Sequence, residues 1–402
     1  MITIHPFKAW RPNPETVNEV ACVPYDVIDT DEANKLAEGR QKSFLHVIRP
    51  EIDLPEEISL YDDAVYQKGK ENLEKFIQEK VLVQEEQPGL FLYRQQQGQH
   101  IQTGLFGCVS VKDYDEDRIL KHELTRPDKE EDRTRHILTQ KAHAEPVMLT
   151  YKPHQKVKDL SVKITNENKP LYRFKAVDDV EHTVWRIDSP HEFVDAFKSV
   201  DALYVADGHH RCKSASNVAA QLRNGSLKGT EEFEYFPAVI YPMDELRILA
   251  YNRLVLKADT NKLLKELDEK YHITNQANPI PKKKGDTSIY VKGQWYSFAL
   301  PNPASGDSVK NLDASRLQDF VFNDLLGIKE PRTDKNLAFV GGHDSISKME
   351  HLVNSGKAMI AFSMYPTAAE ELVDVSDAGK LMPPKSTWFE PKLRSGLLVH
   401  TF

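Results

Sequence analysis

The chain has 402 residues, 40% hydrophobic and 28% charged. That balance excludes disorder as the main state, and the 18 Gly and 23 Pro fall in no fibrous period. Lys and Arg total 53 against 61 Asp and Glu, a net charge of −8 that matches a nucleic-acid partner poorly. Apolar runs such as Ala238–Tyr241 fall far short of the roughly 20 residues of a spanning helix, so no membrane partner is expected. Three widely spaced cysteines, Cys22, Cys108 and Cys212, form neither a disulfide framework nor a zinc knuckle. The N-terminal residues show no basic run followed by an apolar core, so no secretory leader and a cytoplasmic location are expected. The sequence is silent on oligomeric state.

The first segment is broken by Pro6, Pro12, Pro14 and Pro24 and reads as short extended pieces and turns, followed by a helix near Asp31–Glu38. Phe44–Ile48 reads as a buried strand. Apolar residues at Leu60, Ala64, Leu73, Phe76, Ile77 and Val81 approximate helical spacing and predict one long amphipathic helix. Leu90–Arg94 and Ile101–Val111 flank a Gln-Gln-Gln-Gly-Gln turn, a hairpin with Gly98 free to take positive φ. Strands are expected at Val147–Tyr151, Tyr172–Val177, His182–Ile187, Leu203–Ala206, Phe236–Tyr241 and Arg247–Leu256. Helices are expected near His191–Ser199, from the pentad at 207–211 to Gly225, and at Asn261–Tyr271 and Ala314–Leu326. A second hairpin joins Ser288–Val291 to Gln294–Ala299 around Lys292-Gly293. This order indicates an α+β fold with mixed sheets and hairpins rather than a doubly wound sheet. Three regions follow, 1–165, 166–275 and 276–402, with Asn166–Pro170 and Asn275–Pro281 as candidate linkers.

Three segments concentrate reactive side chains. Asp207-Gly208-His209-His210-Arg211 lies where a short apolar strand becomes a helix, a place whose free N–H groups favour an anion. Gly208 permits close backbone approach, Arg211 offers a planar cation for phosphate oxygens, the imidazoles can carry protons, and Asp207 can hold a metal or act as a base. The alternative is an N-cap aspartate followed by surface histidines. The polar stretch from Asp113 to Glu145 is the second. If Asp128–Lys141 is helical, Arg133 and His136 share a face with Thr139 beyond, near Glu123 and Arg126 in sequence; the alternative is a solvated, salt-bridged helix. The third is Met382-Pro383-Pro384-Lys385-Ser386-Thr387-Trp388-Phe389-Glu390-Pro391-Lys392, a stiff approach to a cation and two hydroxyls, or else a structural Pro-rich loop. Cys212, Met364 and Met382 read as buried fillers, and Lys282-Lys283-Lys284-Gly285 as an exposed turn.

With Pro24-Tyr25-Asp26-Val27-Ile28 and Glu145-Pro146-Val147-Met148-Leu149, the pentad and the C-terminal motif resemble a bacterial family known as domain-of-unknown-function family 1015, over residues 24 to 392. The pentad is also similar to that of free-serine kinases of the ParB/sulfiredoxin-like superfamily. The resemblance implies a ParB/sulfiredoxin-like core with additional α+β elements, the core segment being 166–275. It implies a small-molecule phosphotransferase that makes O-phosphoserine from free L-serine, with Mg²⁺ and a donor that is pyrophosphate, ATP or ADP. Asp207, His209, His210 and Arg211 become the donor-phosphate and Mg²⁺ region, Asp207 the metal ligand, and Gly208, Arg126, Arg133, His136 and Lys385 further phosphate contacts. Asp26 is the expected base, with Glu123 behind it; Ser386, Thr387 and Glu123 fall to the substrate. A non-catalytic nucleotide-binding regulator and a phosphatase on a related phosphoester are the other readings of the same residues.

Overall fold

The computed structural model describes residues 1–223, 230–303 and 306–402. It divides into two compact units: residues 1–121, 125–246 and 391–402, and residues 122–124 with 247–390. Among the described residues no helix is long and apolar enough to cross a membrane.

The first unit is built on a nine-stranded mixed sheet. Its strands in chain order are β1 (Ile4–His5), β2 (Leu90–Gln97), β3 (His100–Ser110), β4 (Ile119–Leu120), β5 (Val147–Tyr151), β6 (Tyr172–Lys175), β7 (Glu181–Ile187), β8 (Leu203–Asp207) and β9 (Tyr235–Pro242). They lie in the order β4-β8-β5-β9-β3-β2-β7-β6, with β1 on β3. The hairpin of β2 and β3 turns at Gly98, whose φ is +59°. Pairs β4–β8 and β5–β9 are parallel and the rest antiparallel. Strands from the expected regions 1–165 and 166–275 thus share one sheet. Alternate residues Leu90 and Leu92, Val147 and Leu149, Leu203 and Val205, and Phe236 and Ala238 are buried in one core. The same core takes Cys212, Ala215 and Ala219 from the helix after β8, and Phe193 and Phe197 from another.

The helices of this unit are α1 (Thr30–Ala37), α2 (Asp63–Gln78), α3 (Pro127–Gln140), α4 (Gln155–Glu167), α5 (Pro190–Phe197) and α6 (His209–Leu222). Asp29 and Glu32 cap α1 reciprocally. The helix expected to reach Gly225 ends in its described part at Leu222, and Gly225 lies outside the described residues. Phe44–Ile48 is not a strand: Leu45–Ile48 forms one helical turn. Four of its five residues, Phe44, Leu45, Val47 and Ile48, are at most 2% exposed, so the run shows no period that separates strand from helix. These side chains join Val20, Tyr25, Leu73, Phe76 and Val399 in a second core. Burying a side chain such as Phe44 stabilises by about 1.5–3 kcal/mol. That core fixes the chain on both sides of Asp26, which follows Pro24 in a short 3₁₀ turn at Tyr25–Val27.

The second unit has a six-stranded sheet: β10 (Asn252–Val255), β11 (Thr274–Asn275), β12 (Asp286–Val291), β13 (Gln294–Ala299), β14 (Leu337–Val340) and β15 (Ile360–Met364), in the order β11-β13-β12-β15-β10-β14. Its helices include α7 (Thr260–Tyr271), α8 (Asp313–Leu317), α9 (Ser345–Asn354) and α10 (Ala369–Asp377). Two expectations are corrected here. Arg247–Leu256 is two strands in different sheets, since Ile248–Leu249 pairs with Trp388–Phe389. Ala314–Leu326 is α8 continued by a π-helical turn at Gln318–Asn323.

Candidate functional site

The pentad sits at a discontinuity of the first sheet. The register of β8 against β5 shifts between Val205 and Asp207, a bulge that re-aims the last residues of the strand. Gly208 then takes φ +96°, a left-handed conformation that L side chains rarely adopt, and serves as N-cap of α6. A Cβ there would stand 3.1 Å from Arg211 Nε and 3.2 Å from Val147 Cγ1. The chain therefore needs glycine at this place both for its backbone and for the room it leaves Arg211. His209 is buried and His210 half-buried at the first turn of α6.

Arg211 is the hub. It is 7% exposed. One terminal nitrogen donates to Asp207 Oδ2 at 3.2 Å and stands 3.7 Å from Asp26 Oδ2; the other donates to the Pro146 carbonyl. Its buried Nε has no hydrogen-bond partner among the described residues. Burial alone would lower its pKa, but Asp26, Glu145 and Asp207 together raise it, so it stays charged. Asp207 also receives Lys392 Nζ at 3.3 Å on its other oxygen. Glu145 accepts from Tyr25 N at 3.1 Å and Ser395 Oγ at 3.0 Å. Burial pushes its carboxyl above the usual range, with Arg211 and Arg133 opposing the rise.

Helix α3 supplies a second layer. Its inward face carries Asp132, Arg133 and His136, all buried, so the solvated-helix alternative does not hold for that face. Arg133 donates Nε to Asp132 Oδ2 at 2.9 Å, and its guanidinium carbon lies 4.1 Å from the Tyr25 ring centroid, which ties α3 to the turn bearing Asp26. His136 packs edge-on against Tyr66 at 4.7 Å. Burial, then Arg133, Arg135 and Arg49, hold its imidazole pKa well below the usual value. It is neutral at pH 7 and adds no charge for a phosphate. Arg126 is exposed and pairs with Asp128 at 2.8 Å, while its N–H donates to His210 Nε2 at 3.1 Å.

The structure thus brings together Asp26, Arg126, Arg133, His136 and the whole pentad. The site interleaves Arg133, Arg211 and Lys392 with Asp26, Asp132, Glu145 and Asp207, one carboxylate in excess. Oxygen donors of this kind suit Mg²⁺, which takes one or two carboxylates together with substrate phosphates. Asp207 fits that use, its side chain being 26% exposed, and leaves Asp26, 35% exposed and within 4 Å of the same Arg211 nitrogen, free of the metal.

The other predicted residues fall in the second unit. Ser386 Oγ donates to the Pro383 carbonyl at 2.7 Å and so closes the Pro-Pro-Lys-Ser turn, in which Lys385 takes φ +56°. Thr387 Oγ1 is 3.3 Å from His122 Nε2, and Lys385 Nζ lies 5.5 Å from the Tyr251 ring centroid. Glu123 acts on the buried Arg253, whose pKa burial lowers to about 10 against the opposing influence of Tyr251 and Glu123.

Sequence reasoning missed Glu145, Lys392 and Ser395 as members of the cluster. Glu145 and Lys392 stood in motifs already marked. Their spatial meaning comes from pairing between residues far apart: Lys392 and Asp207 are separated by 185 positions, and Ser395 and Glu145 by 250.

The protein family described as "Protein of unknown function (DUF1015)" matches residues 4–315. The chain belongs to that family. Among solved structures, a conserved hypothetical protein from Pyrococcus furiosus is similar at 13% identity and a TM-score of 0.37, over 71% of this chain and 90% of that one. A free serine kinase in complex with AMP is similar at 12% identity and a TM-score of 0.38, over 71% of this chain and 86% of that one. SbnI from Staphylococcus aureus, with a C-terminal truncation, is similar at 12% identity and a TM-score of 0.39, over 73% and 87%. No curated protein matches the chain.

Proposed function

We propose that the protein is a small-molecule phosphotransferase of the α+β, ParB/sulfiredoxin-like type, and that it phosphorylates free L-serine at the Asp26–Arg211–Asp207–Lys392 cluster. The observation that carries this reading is the convergence of Asp26, from one end of the chain, on Arg211 and Asp207 of the pentad. Phosphoryl transfer to a hydroxyl needs a base for the proton and cations around the transferred oxygens. The cluster holds a half-exposed carboxylate, Asp26, beside a permanently charged guanidinium.

In the step, the serine hydroxyl oxygen forms a bond to the terminal phosphorus of the donor as the bond from that phosphorus to the leaving oxygen breaks. The hydroxyl proton passes to the Asp26 carboxylate. ATP leaves as ADP, ADP as AMP, or pyrophosphate as phosphate. Arg211 and Lys392 stabilise charge on the transferred group, and the N-terminus of α6 with His209 and His210 orients it. Glu145 and Arg133 position Arg211 and the Tyr25–Val27 turn. Mg²⁺ held by Asp207 would neutralise donor phosphate charge, which a cluster with one carboxylate in excess cannot do alone.

The test is incubation with L-serine, Mg²⁺ and, separately, ATP, ADP and pyrophosphate, with O-phosphoserine read by mass spectrometry. Product with one donor supports the reading and names the donor. Donor binding with no O-phosphoserine from any of them sinks it in favour of a regulator, and donor hydrolysis alone in favour of a phosphatase.

A further inference from the structure

A cleft of about 380 Å³ opens in the first unit at the other end of the strand that leads from the candidate site. Glu145 and Val147 stand at the start of β5, beside Arg211 and Gly208; Tyr151, at its end, lines the cleft. Six residues of extended chain, at about 3.3 Å each, put roughly 20 Å between the two places. The cleft lies between one face of α4, the cross-strand pair Arg94 of β2 and Thr103 of β3, and the turn after β9. Its volume is in the range of about 300–1,000 Å³ usual for small-molecule sites.

Two opposite charges face this space, and one residue holds both. Arg94 donates Nε to Thr103 Oγ1 at 3.0 Å, and Glu245 accepts from Thr103 N at 2.7 Å. No ion pair within 4.0 Å joins Arg94 or the α4 residue Lys158 to Glu245 among the described residues. Arg94 is held off by its stacking on Trp185, 5.0 Å from the ring centroid. Both groups are partly withdrawn from water: burial lowers the pKa of Arg94 and raises that of Glu245. His154, also in the lining, has a buried Nδ1 without a hydrogen-bond partner among the described residues. Charges that are desolvated and kept apart lose free energy until something supplies both counter-charges at once. A lone anion would leave Glu245 unmet, and a lone cation would leave Arg94 unmet.

We propose that this cleft is a second binding site, separate from the phosphotransfer cluster, that takes one free α-amino acid as a zwitterion. Its carboxylate meets Arg94 and Lys158, its ammonium meets Glu245 and Asp244, and its side chain lies along Tyr151 and Val162. This assignment does not depend on the reaction proposed above.

The test is calorimetric titration of the full chain with each of the twenty common L-amino acids, and with the N-acetyl and amide derivatives of any that binds. The expected result is one molecule of a particular amino acid per chain, with binding lost in both derivatives. Glu245→Gln weakens it at least tenfold, Ser161→Trp fills the cleft and abolishes it, and Asp26→Asn leaves it unchanged. Lys158→Glu, on the exposed side of α4, gives the same direction of effect in a chain whose folding it does not disturb. No binding by any amino acid at millimolar concentration overturns the proposal. So does binding that survives Glu245→Gln and Lys158→Glu, or binding abolished by Asp26→Asn, which would place the ligand in the other cluster.

Discussion

Arg211→Met removes the guanidinium that Asp26, Glu145 and Asp207 share. Methionine is of similar length and apolar, so packing changes little, and the cost is mainly electrostatic. Breaking a buried ion pair by deleting one partner costs about 3–5 kcal/mol. Asp26 and Asp207 keep 35% and 26% of their side-chain surface, so water screens part of that. The expected loss is therefore at the low end, about 3 kcal/mol at pH 7.5. Its pH dependence identifies the cause. Without Arg211 the Glu145 carboxyl, which burial pushes up and Arg211 opposes, rises further in the folded state. The loss is then full where Glu145 is ionised and shrinks as acid protonates it. Urea unfolding of both proteins at pH 7.5 and pH 5 should show a gap that narrows at the lower pH. A gap under about 1 kcal/mol at pH 7.5, or an equal gap at both, would refute the reasoning that Arg211 neutralises this cluster.

Gly208→Ala forces a left-handed residue, at about 1–2 kcal/mol, and presses a methyl group on Arg211. Both the melting temperature and the rate of phosphotransfer should fall, and no change in either would remove Gly208 from the account. His136, His143, His182 and His400 are buried with pKa values held below the ordinary value, foremost by burial itself. In the folded protein they bind protons less readily than in the unfolded chain, which takes them up below about pH 6.5. Stability should therefore decline as pH falls from 7 to 5, visible as a dropping urea midpoint, and a flat profile would contradict it. Glu232, pulled down to about 2 against the cost of its own burial by hydrogen bonds from His400 and His5, remains ionised throughout that window and adds no slope of its own. In the second unit, Gly341→Ala would place a Cβ 2.1 Å from Trp388 Cε3. Overpacking of this kind costs about 1–3 kcal/mol, and the change should appear in melting temperature and tryptophan fluorescence together; an unchanged melt would show that the loop yields freely.

Much of the fold was legible where local signals were strong. Gly98 marked its hairpin, the apolar period of 60–81 marked α2, and the pentad lay at the strand–helix junction it was expected to occupy. That Arg133 and His136 share one face of α3 followed from their three-residue spacing, but the burial of that face did not, since the same spacing fits a solvated helix. Phe44–Ile48 misled because a run buried at four of its five positions carries no clear period. The membership of Glu145 and Lys392 was not legible, because it depends on strand pairing and chain return over more than a hundred residues, which local pattern does not encode. The electrostatic character of the site escaped for the same reason. Which carboxylate stands against which cation is set by the fold, as Asp132 against Arg133 and Asp207 against both Arg211 and Lys392.

The central claim is that Asp26 takes the proton of a serine hydroxyl beside Arg211. The most direct measurement compares O-phosphoserine formation by the intact protein and by Asp26→Asn, with L-serine, Mg²⁺ and a saturating phosphoryl donor. A general base contributes about 10²–10⁴-fold, so the variant should form product slower by that factor while still binding the donor. Equal rates in the two proteins, or no O-phosphoserine from the intact one with any donor, would contradict the account.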